Sequence, residues 1–209
     1  TIRLLATSSE TCELTHLLAK DFKYTTRVLA VRDASLESTP LLTSKIFHYL
    51  QTPQDIQPRI LSLLALRQKA GMLERPLIIW EPAPPSCNQE NLQACLDAAA
   101  LVDVFSPNHL ELAALFAKSL SLAAEKAVIE DLALKFLDSG VGPDGKGTVV
   151  VRAGERGCLV RTRSLSPTWL PPFYVLGSAG DQHPMVVDPT GAGNAFLGAY
   201  AIGYLKTGS

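Results

Sequence analysis

The chain has 209 residues, of which 47% are hydrophobic and 19% are charged. This composition is typical of a globular protein and excludes a disordered chain, a collagen-like repeat or a coiled coil as a description of the whole. Lys and Arg number 19 against 20 Asp and Glu, a formal net charge of −1, and without a basic cluster we expect no nucleic-acid partner.

The distribution of apolar residues and cysteines bears on the compartment. No apolar run reaches the roughly 20 residues of a membrane span, so we expect no membrane association. The four cysteines lie at irregular spacings and include no C-x-x-C pair. We therefore expect reduced cysteines in a cytoplasmic protein.

Short apolar runs alternate with longer amphipathic segments through the middle of the chain, a pattern that predicts parallel strands joined by helical crossovers. The first 50 residues are less legible, with a helix near 11–20 and a β-prone stretch near 22–31. The predicted helices are 54–70, ended by Gly71, then 88–100, 108–118 and 121–138. The predicted strands are 76–80, broken by a Pro-rich loop over 81–86, and 101–105.

After Gly140 the pattern changes. Residues 148–152 and 158–161 are two β-prone runs separated by a Gly-containing turn, which predicts a hairpin. A connection rich in Pro and Ser over 164–184 leads to a predicted strand at 185–187 and a predicted helix over 194–206.

Three glycine segments are candidates for a phosphate-binding loop. Gly140–Lys146 fits G-x-x-x-x-G-K, but it precedes a strand and lacks the following Ser or Thr, so we interpret it as a solvent turn. Gly154–Gly157 by itself is only a tight turn between strands. Asp188–Phe196 runs from a buried strand into a helix, where unpaired N–H groups favour an anion. The alternative is a glycine turn with Asn194 as helix N-cap.

This third segment carries a family resemblance. Its sequence, VVDPTGAGNAFLGAY, resembles the C-terminal signature of the ribokinase or PfkB family of carbohydrate kinases. Two further motifs follow the family's order: Ser106–Glu111 resembles its P-N-x-x-E, and Val151–Gly157 resembles its nucleotide-side glycine turn. The matching segments are most similar to a fungal branch that includes proteins implicated in maintaining yeast killer-virus particles.

The resemblance implies an α/β fold, a ribokinase-like three-layer αβα arrangement with a mostly parallel sheet. It also implies that Gly191, Ala192 and Gly193 form an anion hole for the transferred phosphoryl group. The family's general base is an Asp at the next position, which here is Asn194. An amide does not accept the acceptor hydroxyl's proton at neutral pH, so we expect weak or absent catalysis.

Three alternatives remain open on the sequence. The protein is a weak or inactive kinase relative that binds nucleotide, a true kinase that recruits a base from elsewhere, or a non-catalytic scaffold that keeps the kinase fold. The scaffold needs neither ATP nor sugar.

The resemblance also implies cofactors. Asn108 and Glu111 resemble the pair that organises Mg²⁺ through water, although the same spacing is typical of a helix capping box. Arg152, Gly154, Asn108 and Thr190 resemble positions around ATP. Arg152 could pair with a phosphate or simply be solvated at a strand end, and Asp188 with Thr190 resembles a monovalent-cation site.

Compared with the family, the chain lacks the usual N-terminal strands that carry most substrate contacts, and it ends soon after the signature helix. We therefore expect residues 1–209 to be a partial kinase domain. The expected small-molecule ligands are a nucleotide and a sugar-like molecule. Apolar edges exposed by a partial sheet would favour a protein partner or a homo-oligomer.

Overall fold

A computed structural model describes residues 33–174 and 190–207. The helix near 11–20, the β-prone stretch near 22–31, the strand at 185–187 and Asp188 lie outside these residues. Within the described part, no helix is long and apolar enough to cross a membrane.

Among the described residues, six strands form one mixed sheet in which the spatial order is the chain order, β1 to β6. The strands are β1 Ile46–Gln51, β2 Leu77–Pro82, β3 Val104–Phe105, β4 Thr148–Arg152, β5 Cys158–Thr162 and β6 Thr168–Leu170. The first four pair in parallel, and the last two add antiparallel pairings at β4–β5 and β5–β6. The predicted hairpin is confirmed as β4 and β5.

Helices connect the parallel strands and pack on one face of the sheet. They are α1 Pro53–Lys69, α2 Leu92–Ala99, α3 His109–Leu115, α4 Leu120–Ala123 and α5 Lys126–Ser139. Apolar residues at helical spacing, such as Ile56 and Ile60 of α1 and Phe136 of α5, are buried against this face. Gly71, with φ +76°, follows the end of α1 as predicted.

The opposite face is covered, among the described residues, by α6 Ala192–Thr207. Strand β2 is buried along its whole length, so its side chains alternate between two cores. Ile78 and Trp80 face the helices α1 to α5, while Leu77 and Ile79 meet Leu197 and Ala201 of α6. The described elements therefore form the predicted α/β arrangement of helices on both faces of a sheet.

Several element boundaries differ from the sequence prediction. Strand β2 continues through Glu81 and Pro82, which the sequence assigned to a loop. Strand β3 is shorter than predicted, because Leu101 and Val102 donate backbone hydrogen bonds to the end of α2. The single helix predicted over 121–138 is two helices, since Glu125 has extended backbone angles.

Candidate functional site

The sequence motifs meet at the carboxyl ends of the parallel strands, the edge at which open α/β sheets bind ligands. Glu81 lies near the end of β2, Ser106 directly follows β3, and Arg152 is the last residue of β4. Asn108 forms an isolated parallel bridge with Arg152. The fold thereby brings the P-N-x-x-E segment and the glycine-turn segment into contact.

Asn108 and Glu111 build the start of α3 as a capping box. The Asn108 side-chain oxygen accepts hydrogen bonds from the N–H groups of Leu110, at 2.9 Å, and Glu111, at 2.8 Å. In return, Oε2 of Glu111 accepts the Asn108 N–H at 2.7 Å. The capping interpretation is confirmed, and it holds the Glu111 carboxylate in a fixed, buried position.

The side chain of Arg152 is largely buried, so Arg152 is not a solvated strand-end residue. It already contacts two protein carboxyl groups, so a phosphate would not be its sole partner. Its side chain is only 15% exposed, and its Nη1 lies 2.7 Å from Glu81 Oε1. Its Nη2 donates to the Ser106 carbonyl at 3.0 Å and lies 3.6 Å from Glu111 Oε2. The guanidinium therefore lies between two carboxylates.

Sequence reasoning missed Glu81 and its neighbour His48. Nε2 of His48, on β1, lies 3.2 Å from Oε2 of Glu81, within ion-pair distance, although neither atom has an aligned hydrogen-bond partner. The signal that could have found Glu81 is an acidic residue directly after the buried run Leu77–Trp80, at the strand end where α/β sites form.

The two buried carboxyl groups titrate in opposite directions. Burial opposes ionisation of Glu81, but the contact with His48 and the charge of Arg152 outweigh it and lower the pKa of this carboxyl. Burial raises the pKa of Glu111 to about 7, against the opposing effects of the Asn108 N–H and Arg152. Near neutral pH, Glu81 is ionised and Glu111 is partly protonated.

The glycine-rich signature begins α6. Gly191 adopts φ +79°, and its carbonyl accepts the first helical hydrogen bond, from the Ala195 N–H. The N–H groups of Ala192, Gly193 and Asn194 therefore precede the helical hydrogen-bond ladder and point outward from the helix start. The N-cap alternative for Asn194 is wrong, because Asn194 is the third residue of the helix and the Gly191 carbonyl accepts the first helical hydrogen bond. The Asn194 side chain is exposed.

Gly193 joins the signature to the charged cluster. A Cβ atom at this position would overlap Nη1 of Arg152, so the backbone of the helix start lies directly against the guanidinium. A side chain at position 193 would therefore force the guanidinium to shift. The three sequence motifs consequently form one site.

Two predicted ligand positions lie at its margin. Gly154 has φ +56° and opens a short turn two residues after Arg152, with open space where a Cβ would stand. Thr190 is exposed and directly precedes Gly191. Because Asp188 lies outside the described residues, the monovalent-cation site stays a prediction.

The described residues do not fit direct coordination of Mg²⁺ by protein side chains, whereas the water-mediated Mg²⁺ role of Asn108 and Glu111 stays a prediction. Within residues 33–174 and 190–207, no three His, Cys, Asp or Glu side chains gather as metal ligands. The carboxylates that meet here, Glu81 and Glu111, already face a guanidinium on one side. A divalent ion shared by both would face the permanent charge of Arg152.

The fold is an α/β arrangement whose sequence motifs meet at the carboxyl ends of the parallel strands, and comparison with known families gives its class. Residues 15–209 match the family described as pfkB family carbohydrate kinase. The chain belongs to this family.

Two fungal relatives are similar in sequence. The Uncharacterized protein C16C9.01c of Schizosaccharomyces pombe is 33% identical over 196 residues, covering 90% of this chain and 53% of the relative. Protein MAK32 of Saccharomyces cerevisiae is 28% identical over 160 residues, covering 69% of this chain and 39% of the relative. The chain thus spans about half or less of these relatives.

Solved structures confirm the fold. Escherichia coli phosphofructokinase-2, in complex with substrates and products, superimposes with a TM-score of 0.54 at 21% identity, covering 84% of this chain and 50% of that chain. Arabidopsis thaliana ribokinase, complexed with ribose and ATP, gives a TM-score of 0.53 at 22% identity, covering 84% and 47%. These likenesses confirm the ribokinase-like fold.

Proposed function

We propose that the protein binds the phosphates of a nucleotide such as ATP at the start of α6. We further propose that its transfer of a phosphoryl group to a sugar-type hydroxyl is weak or absent. The observation that carries the proposal is Asn194, exposed on the first turn of α6 beside Gly193. Family membership supports ATP as the nucleotide and a carbohydrate as the acceptor.

The start of α6 offers backbone donors for phosphate. The N–H groups of Ala192, Gly193 and Asn194 precede the first helical hydrogen bond, so we expect them to donate to phosphate oxygens, and the positive end of the helix dipole adds to the attraction. These donors are fixed by the backbone, so they stabilise developing charge without rearrangement. Because these donors belong to the backbone, they are present whether residue 194 is the Asn of this chain or the Asp of the family signature.

Phosphoryl transfer also depends on proton transfer. The acceptor hydroxyl must lose its proton as the new P–O bond forms, and a positioned base typically accelerates this by about 10² to 10⁴. The Asn194 amide has no basic lone pair at neutral pH. The buried carboxylates Glu81 and Glu111 are engaged with Arg152 and Asn108.

Asn194→Asp is the direct test. With the full-length protein, ATP and a panel of sugars, we expect near-background ADP release from the natural protein and a rise of about 10²-fold or more in the variant. Asn194→Ser, which restores no base, is the matched control and should stay at background. Robust sugar phosphorylation by the natural protein, unchanged in Asn194→Asp, would refute the proposal.

A non-catalytic scaffold is the second candidate, favoured by the same Asn194 and by the engagement of both carboxylates. Calorimetry with ATP separates it from a nucleotide-binding protein. Absence of ATP binding by the full-length protein would favour the scaffold and a protein partner. Binding in the micromolar to millimolar range would favour the nucleotide proposal.

A further inference from the structure

The charged cluster behind the start of α6 contains its own cation. We propose that the Arg152 guanidinium takes the position that a divalent metal would hold between the Glu81 and Glu111 carboxylates. Phosphate binding at α6 then requires no metal ion at these side chains. The statement about phosphate binding rests on the proposed function. The position of Arg152 between the two carboxyl groups can be tested without it.

The contacts of the guanidinium support this role. Nη1 and Nη2 reach different carboxylates, Glu81 at 2.7 Å and Glu111 at 3.6 Å. The Ser106 carbonyl, 3.0 Å from Nη2, fixes the plane of the group. A planar guanidinium with several donors can bridge groups in this way, whereas an ammonium acts as a single point of charge.

Charge and burial exclude a second cation at the same place. The guanidinium already supplies a positive charge between the two carboxyl groups, where a metal would have to compete with it. Both carboxyl groups are about nine-tenths buried, which strengthens the attraction between the ionised Glu81 and Arg152 and the repulsion between Arg152 and another cation. A metal ion would have to displace the guanidinium from Glu81.

The position of Arg152 relative to α6 links this cation to the ligand. Gly193 lies against Nη1, so the guanidinium is close to the backbone of the helix start. An anion at these groups would be attracted by the backbone donors and by the Arg152 charge together. A Mg²⁺ ion held by the phosphates of the nucleotide, and not by Glu81 or Glu111, is compatible with this position of Arg152.

The first experiment is a Mn²⁺ titration of the full-length natural protein without nucleotide. We expect no Mn²⁺ site with a Kd below about 1 mM and no metal-dependent rise in Tm. Arg152→Thr leaves Glu81 and Glu111 without their cation and should gain Mn²⁺ affinity of at least tenfold, together with a higher Tm in Mn²⁺. The gain should vanish in Arg152→Thr/Glu81→Gln.

Arg156→Thr is the matched control, since Arg156 lies four residues on and pairs with the exposed Glu155; it should gain no Mn²⁺ affinity. If Arg152→Thr does not fold, Arg152→Lys and the natural protein still decide the matter, because both retain a cation and neither should bind Mn²⁺. A submillimolar Mn²⁺ site in the natural protein overturns the inference.

The second experiment measures ADP binding in EDTA and in Mg²⁺. We expect the two Kd values of the natural protein to agree within about threefold, and Arg152→Thr to lose at least tenfold in EDTA. ADP binding that disappears in EDTA overturns the inference while the proposed function stands. If ADP binds under neither condition, the proposed function fails, and the Mn²⁺ titration still tests the role of Arg152.

Discussion

Gly193 lies where the start of α6 touches Arg152, and a methyl group there would overlap Nη1. In Gly193→Ala, the guanidinium must move away from Glu81, because the side chain can shift more easily than the helix backbone. We expect a loss of about 1–3 kcal/mol in the free energy of unfolding and at least a tenfold weaker ADP affinity, measured by denaturant titration and calorimetry.

Gly203→Ala is the control for this prediction. Gly203 lies in the same helix, and a Cβ there meets no atom within 4 Å. Alanine favours the helix by up to about 1 kcal/mol over glycine, so this variant should be as stable as the natural protein or more so. Equal losses in the two variants would contradict the close approach of Gly193 to Arg152.

Among the elements, α3 depends most visibly on its cap. Asn108→Ala removes an oxygen that accepts two backbone N–H groups, at 2.8 and 2.9 Å. We expect a loss of about 1–2 kcal/mol, the upper part of the range for N-cap residues. Ser119→Ala, at the start of α4, removes one backbone N–H contact, from Leu122 at 3.5 Å, and an exposed contact with the Ser121 hydroxyl at 2.9 Å. Because both contacts lie in solvent, this change should cost roughly 0.5 kcal/mol or less. Denaturant titration of both variants measures the difference; a larger loss at Ser119 would contradict it.

The elements also show what the sequence could predict. The hydrophobic spacing that defines α1 and the β4–β5 hairpin lies between residues close together in the chain. The type and position of these elements were therefore predictable from the sequence. The order of the glycine signature and its helix was predictable for the same reason.

The charged cluster was not predictable in this way. An Arg at a strand end looks the same whether it is solvated or buried, and the partners of Arg152 come from β2 and α3, far away in the chain. The Pro residues after Trp80 also led to the prediction that the strand ends at Trp80, so Glu81 was assigned to a loop and not to the site. Parallel pairing with β1, Leu50 opposite Glu81 and Gln51 opposite Pro82, keeps these two residues in the sheet.

For the molecule as a whole, Glu111 predicts how stability varies with pH. Its pKa is about 7 in the folded protein against an ordinary 4.5, so the folded state keeps a proton that the unfolded chain has lost. This contribution is fully present below pH 4.5 and is lost as the pH rises through 7. Glu81, with its lowered pKa, contributes in the opposite sense, with stability lost as the pH falls below 4.5.

Denaturant titrations at pH 5, 6, 7 and 8 test this expectation. The natural protein should lose about 1–3 kcal/mol across this window relative to Glu111→Gln, whose amide still accepts the Asn108 N–H and does not titrate. Glu155→Gln, at an exposed site, should follow the natural protein. Parallel curves for the natural protein and Glu111→Gln would contradict the raised pKa.

The strand order has a consequence for folding. Each strand of the described sheet pairs with the strand that precedes it in the chain, so the sheet can grow by successive addition as the ribosome delivers the chain. Helix α6 instead packs on β2, β3 and β4, although it lies much further along the chain. We expect contacts between residues so far apart in sequence to form slowly. We expect Gly193 to reach Arg152 in this late step, so that a nascent chain acquires its sheet before its phosphate site.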